Sequence, residues 1–205
     1  MRLLTYAAIA ALTFFTGYNS VYFRNLDEVK AERAGKAFDA VQYSRMFWDT
    51  KLLTNLDKAV EAGKLIELLS TDPANAFETY SHALGIGNIR YFFVTGKGVV
   101  ESIDPNGLTI KLEANKQIRI ATEFIFGNAV RDATGLISMN EFDNTMDFNN
   151  VTEEINKIIR SQVIPPFLKN VKKGDVVEFT GGVELNREHL HISSIEVVPV
   201  QATIQ

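Results

Sequence analysis

Hydrophobic spacing divides the chain into three parts. Residues 3–23 contain no charged side chain, and residues 26–84 carry apolar side chains at helical intervals of three and four. From residue 89 onward the pattern changes to aromatic and β-branched runs that alternate with polar residues, as in strands. We therefore predict an N-terminal anchor helix over residues 1–23, a helical segment over 24–87 and a β-domain over 88–205.

The β-domain has the element order of a small barrel. The pattern predicts three strands, a polar insertion at 127–150, a helix that starts near Thr152 and ends at Pro165, and two further strands. The strands are expected over residues 89–103, 108–112, 118–125, 175–180 and 190–199. Three strands, a helix and two strands is the order of an OB fold. The predicted class is α+β, with an OB-like small β-barrel that has a helix between its third and fourth strands. Another small barrel or sheet with a helix across one end remains the alternative.

Glycine and proline predict breaks in these elements. Asp72 and Pro73 form a good helix start, with the Asp as N-cap and the Pro in the first turn, and Gly85 is placed to end that helix. Gly96 and Gly98 interrupt the first strand and predict a bulge or a sharp coil there.

The N-terminal run is long enough to cross a membrane. Its 21 or so residues, at about 1.5 Å each in a helix, reach roughly 30 Å, the thickness of a bilayer core. Arg2 precedes the run, as in export signals, but large residues stand near each candidate cleavage site, such as Phe15 ahead of Gly17. We favour an uncleaved anchor over a cleaved signal or a buried helix. The expected location is the inner membrane, with the bulk of the chain facing the periplasm.

Composition removes several classes of function. The 205 residues include no Cys, which excludes disulfides, cysteine-ligated metals and thiol nucleophiles. The net charge of −4 gives no basic surface for nucleic acid, so no nucleic-acid partner is expected. No catalytic motif for hydrolysis or nucleotide binding is present, and no cofactor is predicted.

The best polar candidates follow the third predicted strand. Arg131 and Asp132 are adjacent in the insertion, where a guanidinium can pair with a carboxylate, an anion or a sugar hydroxyl. Phe142 can stack on a ligand, and Asn144 and Asn156 can hydrogen-bond to it. These five residues are the candidate ligand-binding site, and the alternative is that they tie the insertion to the barrel. A carbohydrate hydrolase that uses Asp132 or Glu141, with Arg131 as electrostatic support, is a second hypothesis.

Two candidate metal sites carry less weight. His189 and His191 alternate on the last predicted strand, but spacing fixes no third ligand. The oxygen ligands of an EF-hand recur from Asp143 to Glu154, yet Phe148 stands where such loops need Gly. We therefore predict no metal site.

Six segments of the sequence carry a family resemblance: residues 38–53, 96–100, 127–133, 142–144, 154–156 and 173–177. Together they resemble a bacterial family of predicted periplasmic lipoproteins, known as domain of unknown function 2291. Members are often encoded beside sugar-type ABC transporters, which implies an accessory role in solute uptake. The chain departs from the lipoprotein pattern, because Tyr18 follows Gly17 where a lipobox would have its cysteine. The resemblance and the missing catalytic motifs together favour a non-catalytic envelope protein that binds a small solute, such as a sugar, or a protein partner such as a transporter component.

Overall fold

The described part of the chain starts within the predicted helical segment. The computed structural model describes residues 38–205 and, ahead of them, Tyr6 alone. The predicted anchor over residues 1–23 therefore lies outside the described residues except for Tyr6, as does the start of the helical segment. No helix within 38–205 is long and apolar enough to cross a membrane.

Short helical pieces form the first part of the described chain. Helix α1, Ala40–Met46, is capped by Asp39, whose carboxylate accepts the Gln42 amide at 2.9 Å. It continues into a π-helical turn, Phe47–Leu52, and a 3-10 helix, Leu53–Lys58. Phe47 and Leu52 are completely buried, so this part is held by packing rather than by helix length.

Two short strands flank the next pair of helices. The order is β1 Val60–Glu61, α2 Ala62–Thr71, α3 Pro73–Tyr80 and β2 Ser81–His82. Asp72 caps α3 by accepting the Asn75 amide at 3.2 Å, which confirms the predicted start. The predicted end at Gly85 is wrong, because Ser81 is extended and pairs with the following strand.

Five longer strands pair in a closed ring. They are β3 Ile89–Asp104, β4 Gly107–Lys111, β5 Gln117–Ala121, β6 Val176–Asn186 and β7 Glu196–Ile204. Neighbours around the ring are β3–β4, β4–β5, β5–β7, β7–β6 and β6–β3, and only the β5–β7 pair is parallel. The predicted α+β class is confirmed, and a group of helices within residues 129–170 lies between β5 and β6, the third and fourth of these strands.

Strand β3 is continuous through both of its glycines, so the predicted break is wrong. It pairs with β6 from Ile89 to Val99 without a shift, and its register shift against β4 comes later, between Val100 and Ser102. The two glycines instead allow neighbouring groups to lie closer to the strand than a side chain would permit. A Cβ on Gly98 would lie 2.4 Å from the Lys111 carbonyl oxygen, and one on Gly96 would lie 2.7 Å from the Phe179 ring.

The predicted polar insertion is largely helical. It contains α4, Ala129–Ala133, a 3-10 turn, Met139–Glu141, and the start of α5, Thr145–Ile158. Helix α5 therefore begins before the predicted start at Thr152. A π-helical turn, Ile159–Val163, leads into α6, Ile164–Asn170. The prolines at 165 and 166 do not end the helix, because they sit in the first turn of α6, where a missing N–H costs no hydrogen bond.

The last strand is displaced from its prediction. Residues 190–195 are not strand but include a 3-10 turn, Ile192–Ser194, and β7 extends to Ile204 instead. The core inside the ring combines side chains from every long strand with those of α2, α3 and α6. Its fully buried members include Leu65, Phe92, Leu108, Ile110, Ile120, Phe179 and Val197.

Candidate functional site

Arg131 and Asp132 form a buried ion pair. The guanidinium donates from Nε to Asp132 Oδ1 at 2.7 Å and from Nη2 to Oδ2 at 2.9 Å, so the contact is bidentate. Arg131 is 1% exposed and Asp132 is 5% exposed. Charge-assisted hydrogen bonds of this geometry are the strong ones, particularly away from water.

The same guanidinium joins α4 to α5. Its Nη1 donates to the Thr152 hydroxyl at 2.6 Å and to the Phe148 carbonyl at 3.3 Å, and its central carbon lies 3.6 Å from the centre of the Phe148 ring. Arg131 is thereby held by a carboxylate, a hydroxyl, a carbonyl and an aromatic face. We call Arg131, Asp132, Phe148 and Thr152 the latch.

Further polar contacts extend the latch along α5. The Thr152 hydroxyl donates to the Asn128 amide oxygen at 3.3 Å, and Asn156 donates its amide to the Gly127 carbonyl at 3.0 Å. Thr152 and Asn156 are four residues apart and so share one face of the helix. That face binds the segment that leads into α4. Asn156 is therefore used by the fold itself.

Aromatic rings continue from the latch toward α1. The Phe142 ring lies 5.2 Å from that of Phe148 and 5.1 Å from that of Tyr43, in tilted and edge-on geometry. The Tyr43 hydroxyl donates to Glu141 at 3.0 Å. Burial, followed by this hydrogen bond and the negative charge of Glu141, raises the pKa of Tyr43 to about 12. Phe142 is half-buried in this row of rings.

Asn144 has a different role at the end of the same helix. It is the N-cap of α5, and its side-chain oxygen accepts the Asp147 amide at 2.9 Å. Its side-chain amide donates to the Asp147 carboxylate at 2.8 Å. The structure thus brings Arg131, Asp132, Phe142 and Asn156 around α5 and puts Asn144 at its N-terminus. Their role in binding a ligand stays a prediction, since each contact named here holds the fold together.

The two carboxylates of the hydrolase hypothesis are both engaged. Both oxygens of Asp132 accept from Arg131. Glu141 is the third residue of a capping box with Ser138, and its other oxygen accepts from Tyr43. A general acid needs access to the substrate, and Asp132 is 5% exposed with both oxygens held by Arg131.

The structure forms neither of the two metal sites that the sequence spacing suggested. His189 and His191 lie in the bend and coil after β6, so the expectation that they share a strand face is wrong. The EF-hand spacing falls on α5, where a helix replaces the loop. Within residues 38–205 no group of three His, Asp or Glu side chains is arranged to hold a metal ion.

Two concave sites involve residues that the sequence did not single out. A groove of about 490 Å³ lies between α6 with its preceding turn and β7, and a smaller pocket of about 210 Å³ lies beside β1 and β2. The sequence did not indicate the groove, because β7 was predicted to end at residue 199 and residues 200–204 form the strand wall of the groove. The pocket depends on two strands of two residues each, which leave no periodic signal.

Comparison with known families decides the relationship. A family model described as a predicted periplasmic lipoprotein (DUF2291) matches residues 11–203. The chain belongs to this family. The DUF2291 description names no activity, and this member has no Cys to carry the lipid of a lipoprotein.

A solved structure supports the fold of this DUF2291 chain. The crystal structure of an OB-fold protein from Thermotoga maritima is 28% identical, with a TM-score of 0.75. The match covers 82% of this chain and 99% of that one. A comparison with curated proteins finds no match.

Proposed function

We propose that the protein is a non-catalytic binding module of the cell envelope, which takes an extended segment of a partner protein into the groove beside β7. The observation that carries this proposal is the lining of the groove. Five consecutive strand residues form one wall and one face of a helix forms the other, and none of the ten side chains that the structure describes there is ionisable. The lining consists of Gln162, Val163, Pro166, Phe167, Asn170, Val200, Gln201, Ala202, Thr203 and Ile204.

The shape of the groove follows from these positions. Successive side chains of a strand point to opposite faces, so only a groove along the strand edge is lined by five consecutive residues. The helical residues recur at intervals of one, three, one and three, which is one face of a helix. At about 3.3 Å per residue the strand wall is roughly 16 Å long. This length suits four or five residues of extended chain.

Among residues 38–205, no strand pairs with the edge of β7 along this wall. Strand β7 pairs with β5 only at Glu196 and Val197, and beyond them its one paired neighbour in this range is β6. An unpaired strand edge presents backbone donors and acceptors, which an added strand can satisfy. Backbone pairing of this kind is specific to a polypeptide. The groove therefore favours a peptide over a sugar.

The side chains of the groove favour an uncharged segment. Gln201 and Thr203 are exposed polar groups, and Val163 and Ala202 add apolar surface. The Phe167 ring, which lies in the core, offers no broad face for sugar stacking because the residue is 5% exposed. With no acid or base in the lining, general acid–base catalysis has no group to use.

The remaining parts of the proposal concern location and partners. The family description supports a periplasmic position, and residues 1–23 would serve as the inner-membrane anchor in place of a lipid. We also interpret the ring of five strands as an OB-like barrel, in line with the 28% identical OB-fold structure. The partner proposed from the family resemblance is a component of a sugar-type ABC transporter.

Photocrosslinking from the groove tests the proposal. A photoreactive phenylalanine analogue replaces Thr203 in the full chain in native membranes, and the matched control carries it at Lys111, exposed at the end of β4. We expect one discrete protein adduct from position 203, none from position 111, and loss of the adduct when Ala202→Trp fills the groove. Peptide mapping should assign the adduct to an uncharged segment, and that synthetic segment should bind the purified chain.

Three outcomes contradict the proposal. They are no adduct at position 203, the same adducts from position 111, or a synthetic segment that binds the Ala202→Trp variant equally well. A neutral sugar that stabilises the chain, but not the Ala202→Trp variant, would make the groove a solute site instead.

A further inference from the structure

A second pocket opens where two short strands meet the same edge of β3. Strand β2 pairs with Tyr91 and Phe92, and β1 pairs with Val94 and Thr95. Phe93 lies between these two pairings. The edge is therefore interrupted at Phe93, and the pocket of about 210 Å³ lies at this interruption.

The inner part of this pocket is apolar. Val60, Phe93 and Ala133 are buried residues of its lining, and Leu136 adds a further aliphatic side chain. Because liquid water occupies about 30 Å³ per molecule, the volume corresponds to roughly seven water molecules. A ligand of this size with a short apolar body would fit, whereas a fully hydrated ion would leave the apolar wall unused.

The described lining residues carry no negative charge. Their polar side chains are those of Asn55, Lys58, Thr79, Tyr80, His82 and Thr134, and none of the ten residues described there is acidic. Lys58 makes no ion pair with any carboxylate of the described residues. Burial lowers the pKa of His82, so its ring is neutral near pH 7 and donates one N–H.

The backbone holds His82 in this position. Gly135 has a φ of +63°, and a Cβ on it would lie 2.6 Å from Nδ1 of His82. The loop that carries Gly135 follows α4 directly, and its amide donates to the Asp132 carbonyl at 3.2 Å. The latch joins α4, which precedes this loop, to α5.

We propose that this pocket binds a small monocarboxylate, whose carboxylate contacts Lys58 and His82 and whose short apolar body packs against Phe93 and Val60. An ammonium and an N–H donor in the lining of one pocket suit a carboxylate, and the apolar interior selects against inorganic phosphate. The site is separate from the β7 groove and stands independently of it.

Calorimetric titration of the purified full-length chain in mild detergent tests this. The probes are butyrate, its uncharged counterpart butyramide, and inorganic phosphate. A ligand of so few atoms should bind with a dissociation constant of about 0.1 to 1 mM. We expect butyramide and phosphate to bind at least about tenfold more weakly, since each lacks one of the two contacts.

Variants assign the binding to the pocket. Lys58→Gln and His82→Leu should each weaken butyrate binding by about tenfold, because the first removes the charge and the second removes the N–H donor. Lys111→Gln, the same charge change as Lys58→Gln but outside the pocket, should leave binding unchanged. Matching thermal midpoints would verify that the three variants fold. The proposal is overturned by no butyrate binding at about 10 mM, by equal binding of butyramide or phosphate, or by full binding in both pocket variants.

Discussion

Removing the Asp132 carboxylate should destabilise the fold strongly. Asp132→Ala leaves the Arg131 guanidinium, 1% exposed, without the acceptors for two of its N–H groups. Breaking a buried pair from one side costs about 3–5 kcal/mol, because the remaining charge is uncompensated. For a chain of this size each kcal/mol lowers the thermal midpoint by roughly 2–4 °C. The expected fall is therefore roughly 6–20 °C.

The double variant separates the charge from the packing. Arg131→Met combined with Asp132→Ala removes both charges and keeps an apolar chain in the space, so it should be more stable than Asp132→Ala by at least about 2 kcal/mol. Some loss relative to the native chain remains, because Thr152 and the Phe148 carbonyl lose their donor.

Urea unfolding followed by tryptophan fluorescence measures these effects. Trp48 is the single tryptophan and is 5% exposed, so its emission reports loss of the core. The matched control is Asp104→Ala, which breaks an equally close bidentate pair with Arg119 on the surface. Its effect should be far smaller, because solvent already screens those charges. Equal losses at the two sites, or no recovery in the double variant, would refute the reasoning.

Two further predictions test close packing and proton linkage. Gly182→Ala should lower the free energy of unfolding by about 1–3 kcal/mol, because the new Cβ would lie 2.6 Å from backbone atoms of Ala129. The control Gly85→Ala should not lower it, because a Cβ there would meet nothing within 4 Å. Equal urea midpoints for the two variants would contradict this prediction. The pKa of Tyr43 is raised to about 12 by burial and by Glu141, so its contribution to stability is complete below about pH 10 and is lost as pH rises through 12. Ultraviolet titration should show a tyrosine that ionises near pH 12 in the native chain, and its persistence in Tyr43→Phe would contradict the assignment.

The sequence predicted elements best where the signal was local. The start of α3 followed from Asp72 and Pro73, and the bounds of β3 followed from its aromatic and β-branched run. The predicted break at Gly96 and Gly98 was wrong, because these glycines are needed for tertiary packing: a carbonyl and a ring lie too close to them for a side chain to fit. No pattern along one strand reveals which neighbour will lie against it.

The sequence indicated two of the four latch residues but not the geometry of the latch. Arg131 and Asp132 were recognisable as a polar pair, yet Thr152 and Phe148, which complete the latch, lie on a helix whose start was misplaced. The pocket residues Lys58 and His82 are 24 positions apart and line one pocket because β1, which follows Lys58, and β2 both pair with β3. Contacts of this kind depend on strand register, which sequence spacing does not encode.

The closed ring also sets how the chain folds. Ile89 pairs with Asn186 and Val99 with Val176, so the longest ladder joins segments separated by most of the β-domain. Contacts so distant in sequence must overcome a large loop-closure entropy before they add stability. Folding should therefore take milliseconds to seconds, as in other domains dominated by non-local pairing, rather than microseconds. Until the ring closes, the edges of β3 and β6 stay unpaired, and this interval is when the chain is most exposed to aggregation.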